Sequence, residues 1–140
     1  MSAMAPSQPR RYIRRPDSPV VAIRLDLDTD GLVYRKWGDE QRAKRGDWLV
    51  DNAGDVYTVD AESFDRTYKR VGSGPGTYVK STPVWATKAE NAGSVATKEG
   101  RTHYEAGDYI VSNTSDGSDQ YAIAAAKFET LYMPDDEEVR

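Results

Sequence analysis

The strongest constraint on the fold is a pattern that occurs twice in the chain. A shift of 64 residues aligns PVVAIR at 19–24 with PVWATK at 83–88, and a shift of 61 aligns RGDWLV at 45–50 with AGDYIV at 106–111. Glycine, aromatic and aliphatic positions recur in one order, which indicates a tandem duplication. The shift of 64 also matches Ala61, Phe64 and Tyr68 with Ala125, Phe128 and Tyr132.

Each copy of the pattern predicts a strand, a β-hairpin and a short helix. Two short β-rich runs flank a turn-forming segment in each copy, and the matched apolar positions behind them have the i, i+3, i+7 spacing of one helix face. Asp60 is a suitable N-cap for the first helix, whereas Ala124 offers the second helix none. We predict an α+β fold, mainly β, in which the duplicated unit shares apolar surface with its copy and packs as one pseudosymmetric body.

The duplication divides the chain into segments. The offset between matched residues of the two copies changes only in the connections between predicted strands and helices. The first copy has three extra residues before its Gly-Asp pair, and the second has three extra residues in its hairpin. The flanking segments hold little that folding could bury, so they are predicted to be flexible. The segments are a basic tail at 1–18, a first unit at 19–71, a Gly-rich linker at 72–82, a second unit at 83–133 and an acidic tail at 134–140.

Charge and composition exclude several function classes. A net charge of -4 argues against a general nucleic-acid binder. The absence of cysteine excludes disulfides, thiolate nucleophiles and Cys-based metal sites, and no cofactor is predicted. No secretory signal or run of about 20 apolar residues is present, so we expect a cytoplasmic protein without membrane contact. The basic tail, with Arg10, Arg11, Arg14 and Arg15, is either a solubilising segment or an anchor for nucleic acid or an acidic partner.

A family resemblance rests on the second copy. EAGDYIV at 105–111, followed by Asp116-Gly117, Tyr121, Phe128 and Tyr132, resembles the PGDYG family of bacterial and phage proteins. The resemblance covers residues 79–133, and residues 19–70 form a more divergent copy. Ala106 replaces the proline of the name motif and Ile110 replaces its last glycine. The resemblance implies a prokaryotic or phage setting and no catalytic residue.

Aromatic residues are the candidate ligand-binding side chains, because duplicated aromatic-lined units can form a cleft or an interface. For Trp48 and Tyr109 the alternative is a place in the core of the sheet. The single histidine, His103, is either an exposed residue without a catalytic role or a general base. The candidate ligand-binding set is Trp37, Trp48, Trp85, His103, Tyr104 and Tyr109.

Two acidic motifs have a structural and a functional interpretation. In Gly46-Asp47 and Gly107-Asp108, glycine suits a positive φ and aspartate can accept bonds from nearby backbone N–H groups, so we predict a structural role. Asp26, Asp28 and Asp30, followed by Gly31, match the first half of a calcium loop, but its twelfth position is Trp37 rather than glutamate. The three aspartates are therefore either a calcium site of another type or a solvated acidic turn.

Three functions remain open from the sequence. The leading hypothesis is a non-enzymatic binding or interaction module for a small molecule or a protein. The second is a small enzyme that uses carboxylates and His103 on a nucleotide or another phosphorylated metabolite, which requires a carboxylate within hydrogen-bond reach of His103 in a pocket. The third is a structural or assembly component. The sequence leaves the ligand and the oligomeric state open.

Overall fold

The computed structural model describes residues 9–72 and 76–135, which form an α+β fold that is mainly β, as predicted. The elements before residue 73 are β1 (Arg10–Arg14), β2 (Val20–Arg24), β3 (Leu32–Lys36), β4 (Asp39–Ala43), β5 (Trp48–Asn52), β6 (Asp55–Val59), α1 (Ala61–Thr67) and β7 (Tyr68–Arg70). Those after residue 75 are β8 (Thr77–Lys80), β9 (Val84–Lys88), β10 (Gly93–Ala96), β11 (Arg101–Tyr104), β12 (Tyr109–Ser112), β13 (Gln120–Ile123), α2 (Ala125–Leu131) and β14 (Tyr132–Pro134).

Two five-stranded antiparallel sheets have equivalent strand orders. The first sheet runs β6-β5-β2-β8-β7 and the second runs β13-β12-β9-β1-β14. Each sheet is accompanied by a separate hairpin, β3-β4 in the first half and β10-β11 in the second. The two halves therefore have the same architecture, while the duplication event itself stays a prediction.

The two sheets exchange one strand each. β1 precedes the first unit in the chain but lies in the second sheet, between β9 and β14, and β8 lies in the first sheet between β2 and β7. The registers correspond, because Tyr12 pairs with Val84 and Tyr78 pairs with Val20. The halves are thus joined by reciprocal strand pairing as well as by side-chain contacts.

The structure differs from the prediction at both exchanged strands. Residues 10–14 of the predicted flexible tail form β1, and residues 77–80 of the predicted linker form β8. Each of these strands forms backbone hydrogen bonds with a strand on either side, and Tyr12 and Tyr78 pack on the two cores. These contacts offset the loss of conformational entropy when the segments become ordered. Residues 1–8, 73–75 and 136–140 lie outside the described residues.

Each sheet packs against its own helix, so there are two cores rather than one shared core. Phe64 of α1 stacks on Trp48 and Tyr68 in the first, and Phe128 of α2 stacks on Tyr109 and Tyr132 in the second. The two buried clusters share no residue. The expectation that the two copies share apolar surface stays a prediction, and polar groups also bond across the halves at their junction.

The structural role predicted for the Gly-Asp pairs is confirmed. Asp47 accepts hydrogen bonds from the Lys44 and Ala61 N–H groups at 2.7 and 2.9 Å. Asp108 accepts the equivalent bonds from Glu105 and Ala125 at 2.9 and 3.3 Å. The preceding glycines have φ of +90° and +95°. Each aspartate therefore closes a turn and also holds the first residue of a helix.

The helix caps also follow the prediction. The Asp60 carboxylate accepts a hydrogen bond from the Ser63 N–H at 3.2 Å, whereas Ala124 provides no side-chain cap for α2. Neither helix of the described ranges has the length and apolar character needed to cross a bilayer.

Candidate functional site

A cavity of about 370 Å³ lies where the two halves meet. Its walls come from β5, β6, α1 and β7 on one side and from β11, β13, α2 and β14 on the other, with β1 and β8 supplying one cation each. The junction around it is held by polar contacts. Ser63 Oγ donates to Asp119 Oδ2 at 2.9 Å, Asp60 N donates to Glu99 Oε2 at 2.7 Å, and Lys127 forms an ion pair with Asp55.

Two buried cations line the cavity without carboxylate partners. The exposed fractions of Arg14 and Lys80 are 5% and 7%, and within residues 9–72 and 76–135 neither forms an ion pair. Arg14 Nη2 donates to Asn52 Oδ1 at 2.9 Å, and its Nε donates to the Ser18 carbonyl at 3.0 Å. Lys80 Nζ donates to the Tyr121 hydroxyl at 2.8 Å. A buried cation without an ion-pair partner is costly, and a bound anion would offset that cost.

The cations occupy equivalent places in the two sheets. Arg14 is the cross-strand neighbour of Tyr132, and Lys80 is the cross-strand neighbour of Tyr68. The guanidinium carbon lies 5.6 Å from the centre of the Tyr132 ring, and Lys80 Nζ lies 5.7 Å from the Tyr68 ring and 4.9 Å from the Tyr121 ring. Tyrosine rings therefore stabilise both cations through cation–π contacts.

The tyrosine hydroxyls respond to burial and to the two charges. Burial raises the pKa of Tyr57 to about 12 and also raises the pKa of Tyr68 and Tyr121. Burial acts in the same direction on Tyr132, but the charges of Lys80 and Arg14, together with hydrogen bonds to Tyr121 and Arg14, outweigh it and lower the Tyr132 pKa. Burial lowers the pKa of Lys80. Burial is the largest influence on the pKa of all five groups, and the two cations set the direction of the shift only at Tyr132.

Glu99 brings an acid to the same cavity from the turn between β10 and β11. Burial raises the pKa of its carboxyl to about 7, although the hydrogen bond from the Asp60 N–H acts in the opposite direction. The nearby charges of Asp60 and Asp47 raise this pKa further. Near pH 7 the Glu99 carboxyl is therefore poised between its neutral and charged forms.

Three of the residues predicted from the sequence line the cavity: Trp37, His103 and Tyr104. Trp37 lies in the turn between β3 and β4, and its carbonyl accepts a hydrogen bond from the His103 N–H at 3.0 Å. His103 Nε2 lies 3.3 Å from Asp39 Oδ2, and the two side chains are 52% and 41% exposed. The hairpins of both halves thus bring flat side chains to one place, next to solvent.

The other three predicted aromatics lie elsewhere. Trp48 stacks on Phe64 and Tyr109 stacks on Phe128, both with ring centres 4.2 Å apart, so each belongs to a core, the alternative that the sequence left open. The Tyr109 hydroxyl donates to Glu129 Oε2 at 2.9 Å, and burial raises its pKa to about 12. Trp85 lies half-buried beside a separate depression of about 60 Å³.

The three aspartates of the calcium hypothesis do not come together. Asp26, Asp28 and Asp30 lie exposed on the connection between β2 and β3, and the Asp28 side chain, which is fully exposed, lies 3.7 Å from Arg45 Nη1. Over the described ranges, no group of three or more histidine, aspartate or glutamate side chains is placed to hold a metal ion. This connection is where the first half carries its three extra residues.

Sequence reasoning missed the side chains that give the cavity its charge. Arg14 lay in the predicted tail, Lys80 lay in the predicted linker, and no local motif marks Glu99. One signal was present: Tyr12-Ile13-Arg14 and Tyr78-Val79-Lys80 share an alternation of aromatic, aliphatic and cationic residues. That period of two is typical of a strand whose first and third side chains face the same way.

Comparisons with known proteins add no relative. No protein-family model, no curated protein and no solved structure matches this chain. The resemblance to the PGDYG family stays a prediction that rests on the residues quoted for it.

Proposed function

We propose that this chain is a non-enzymatic binding protein whose cavity between the two halves takes a small anionic ligand. The observation that carries the proposal is the pair of buried cations, Arg14 and Lys80, which face the cavity without a carboxylate partner in the described part of the chain. Their cost in the empty protein is offset when an anion binds. The volume of about 370 Å³ is within the usual range for small-molecule sites.

The setting of this binding protein is also part of the proposal. The PGDYG resemblance favours a bacterial or phage origin, and the sequence favours the cytoplasm. A ligand that reaches a buried cation pair in such a compartment would be a metabolite anion with a phosphate or carboxylate group. An assembly role is the alternative for the whole chain, and light scattering that finds a monodisperse monomer would count against it.

Thermal unfolding with added anions tests the proposal directly. Sodium phosphate and sodium acetate should each raise the melting temperature above that in sodium chloride of equal ionic strength, because a ligand of the native state stabilises it. Calorimetric titration should then give a dissociation constant that Lys80→Met or Arg14→Met weakens at least tenfold. Without an anion, Lys80→Met should be at least as stable as the wild type, since it removes a buried charge that has no ion-pair partner. Arg14→Met should lose stability, because it also removes the hydrogen bonds to Asn52 Oδ1 and to the Ser18 carbonyl.

Lys98→Met is the matched control. Lys98 also lies at the junction of the halves, but its ammonium group has carboxylate neighbours, Asp60 at 3.5 Å and Asp119 at 4.0 Å. We expect this variant to lose stability and to keep anion binding. Equal affinity for phosphate in the wild type and in Lys80→Met, or no binding of either anion to the wild type, would overturn the proposal.

An enzyme is the second candidate, favoured by one observation. His103 lines the cavity and its Nε2 lies 3.3 Å from Asp39 Oδ2, which gives the carboxylate contact of the enzyme hypothesis, although Asp39 itself is not among the lining residues. Release of phosphate from simple phosphate monoesters, abolished in His103→Asn, would support it. Both side chains are largely solvated, which makes a strongly tuned general base harder to build there and favours binding over catalysis.

A further inference from the structure

Trp37 occupies an unusual place for a large side chain. It is the first residue of the two-residue turn between β3 and β4, with φ of +59°, and Gly38 follows with φ of +82°. Asparagine, aspartate or glycine is usual at the first position of such a turn. Ala53, with φ of +54° in the turn between β5 and β6, indicates that this fold tolerates other residues there. What distinguishes Trp37 is therefore its side chain, which lines the cavity.

A continuous chain of side-chain contacts connects Trp37 to Arg14. The Trp37 and Tyr57 ring centres are 5.6 Å apart, with their planes inclined at 53°. Asn52 Nδ2 donates to the Tyr57 hydroxyl at 3.2 Å, and the same amide accepts from Arg14 at 2.9 Å. One end of this chain of contacts is an indole ring and the other end is a guanidinium group.

The cavity is also too large for a bare anion. A phosphate or acetate ion held by Arg14 and Lys80 would leave most of the 370 Å³ unfilled. The remaining space is bordered by flat side chains, since His103 and Tyr104 line the cavity together with Trp37 and the tyrosines. A ligand that fills the site therefore needs a flat body as well as a charge.

We propose that the ligand is an anion carried on a flat aromatic group, with its charge beside Arg14 and Lys80 and its ring against Trp37. This inference rests on the proposed function and names its ligand class. A ring that packs on Trp37 gains the offset or edge-on contacts that aromatic pairs prefer, which corresponds to roughly a tenfold gain in affinity over the bare anion.

Matched pairs of small anions test this inference on the full chain. Calorimetric titration with phenyl phosphate and inorganic phosphate, and with benzoate and acetate, separates the contribution of the ring from that of the charge for both anion types. In the wild type, the ring-bearing member of each pair should bind roughly tenfold more tightly. In Trp37→Leu this ratio should fall to about one, and in Trp37→Phe it should be largely kept.

Trp85→Leu is the control, because Trp85 is also half-buried but lies away from the cavity. It should keep the full ratio. A second measurement does not depend on replacing Trp37: in a Trp85→Phe background, phenyl phosphate should change the tryptophan emission and inorganic phosphate should not, because the only other tryptophan, Trp48, stacks in the first core.

The outcomes separate this inference from the proposed function. If both members of each pair bind equally and Lys80→Met abolishes both, the anion site stands and the aromatic ligand is excluded. A ratio that survives in Trp37→Leu, or an emission that phenyl phosphate leaves unchanged, also overturns the inference. If neither phosphate nor phenyl phosphate binds to the wild type, the anion site and the aromatic ligand are both wrong.

Discussion

The two halves have the same arrangement of strands and helices but place different side chains at their junction. The first hairpin presents Trp37 in its turn, whereas the second presents Glu99, whose carboxyl has a pKa raised to about 7 by burial. Each turn contacts the opposite half, through the Trp37 carbonyl to His103 and through Glu99 to the Asp60 N–H. Sheet positions that pack on a core must keep their size and polarity, but a hairpin turn has fewer constraints and can change its side chains.

The exchanged strands also have equivalent backbone positions but different side-chain chemistry. β1 contributes Arg14 and β8 contributes Lys80, at corresponding registers but with different groups. Arginine bonds the amide of Asn52 in the opposite half, whereas lysine bonds the hydroxyl of Tyr121. The junction is therefore pseudosymmetric in backbone and asymmetric in chemistry, which suits a ligand with two dissimilar ends.

The largest expected difference between the halves concerns the two Gly-Asp turns. Asp47 is 1% exposed and makes the shorter pair of bonds, so Asp47→Ala should lower the free energy of unfolding by about 4 kcal/mol, since two backbone N–H groups lose a charged acceptor. Asp108, which is less buried, makes bonds of 2.9 and 3.3 Å, so Asp108→Ala should cost about 2 kcal/mol. Urea unfolding measures both values, and equal losses would remove this distinction.

A pH-dependent effect should follow from Glu99. Its folded pKa of about 7 lies above the ordinary value of 4.5, so the folded state binds more protons than the unfolded state between these values. The contribution of Glu99 to stability is therefore fully present below pH 4.5 and is lost as the pH rises through 7. Glu99→Gln should remove up to about 3 kcal/mol of the decline in unfolding free energy between pH 4.5 and pH 8.

The matched variant for this experiment is Glu105→Gln, which removes an exposed carboxylate near the same sheet. Urea unfolding at a series of pH values should give a wild-type profile for Glu105→Gln and a flatter profile for Glu99→Gln. Parallel profiles for all three proteins would mean that Glu99 is an ordinary carboxylate in the folded state.

The smallest expected effect concerns the helix caps. Ala124 has φ and ψ of −58° and 143°, close to the −53° and 137° of Asp60, so its backbone already has the conformation of a capping residue. Ala124→Ser should stabilise the second half by about 0.5 to 1 kcal/mol, because its hydroxyl can accept a hydrogen bond from an unpaired N–H of the first turn. Ala126→Ser, inside the same helix and also exposed, should be neutral or slightly destabilising. Thermal unfolding of the two variants distinguishes the positions.

Many of the strands, turns and helices could be predicted from the sequence, because they depend on interactions between residues that are close along the chain. The β5-β6 hairpin pairs Trp48 with Val59 across the turn at Ala53-Gly54, and the spacing that places Phe64 and Phe128 on one helix face is visible in the residues themselves. Turn chemistry, caps and periodicity act within a few residues. Such features can be read from one copy and checked against the other.

The candidate site could be predicted only in part, because its charges come from strands whose partners are distant in sequence. The sequence predicts Trp37, His103 and Tyr104 as candidates because they are aromatic or titratable, and they do line the cavity. Arg14 falls in the segment that the sequence predicts to be a flexible basic tail, since arginine in a Pro- and Ser-rich segment carries no local sign of burial. Its burial follows from the pairing of β1 with β9 and β14, residues that lie about as far away as the chain allows.

The sequence by itself determined the repeated unit: its hairpins, its helices, the Gly-Asp turns and the cap that one helix has and the other lacks. Only the tertiary structure decided that the strand preceding each unit joins the sheet of the other unit, and with it that two cations are buried beside tyrosines at the junction. The physical reason is that local conformational preferences act over a few residues, whereas burial of a charge depends on which distant strands exclude water from it.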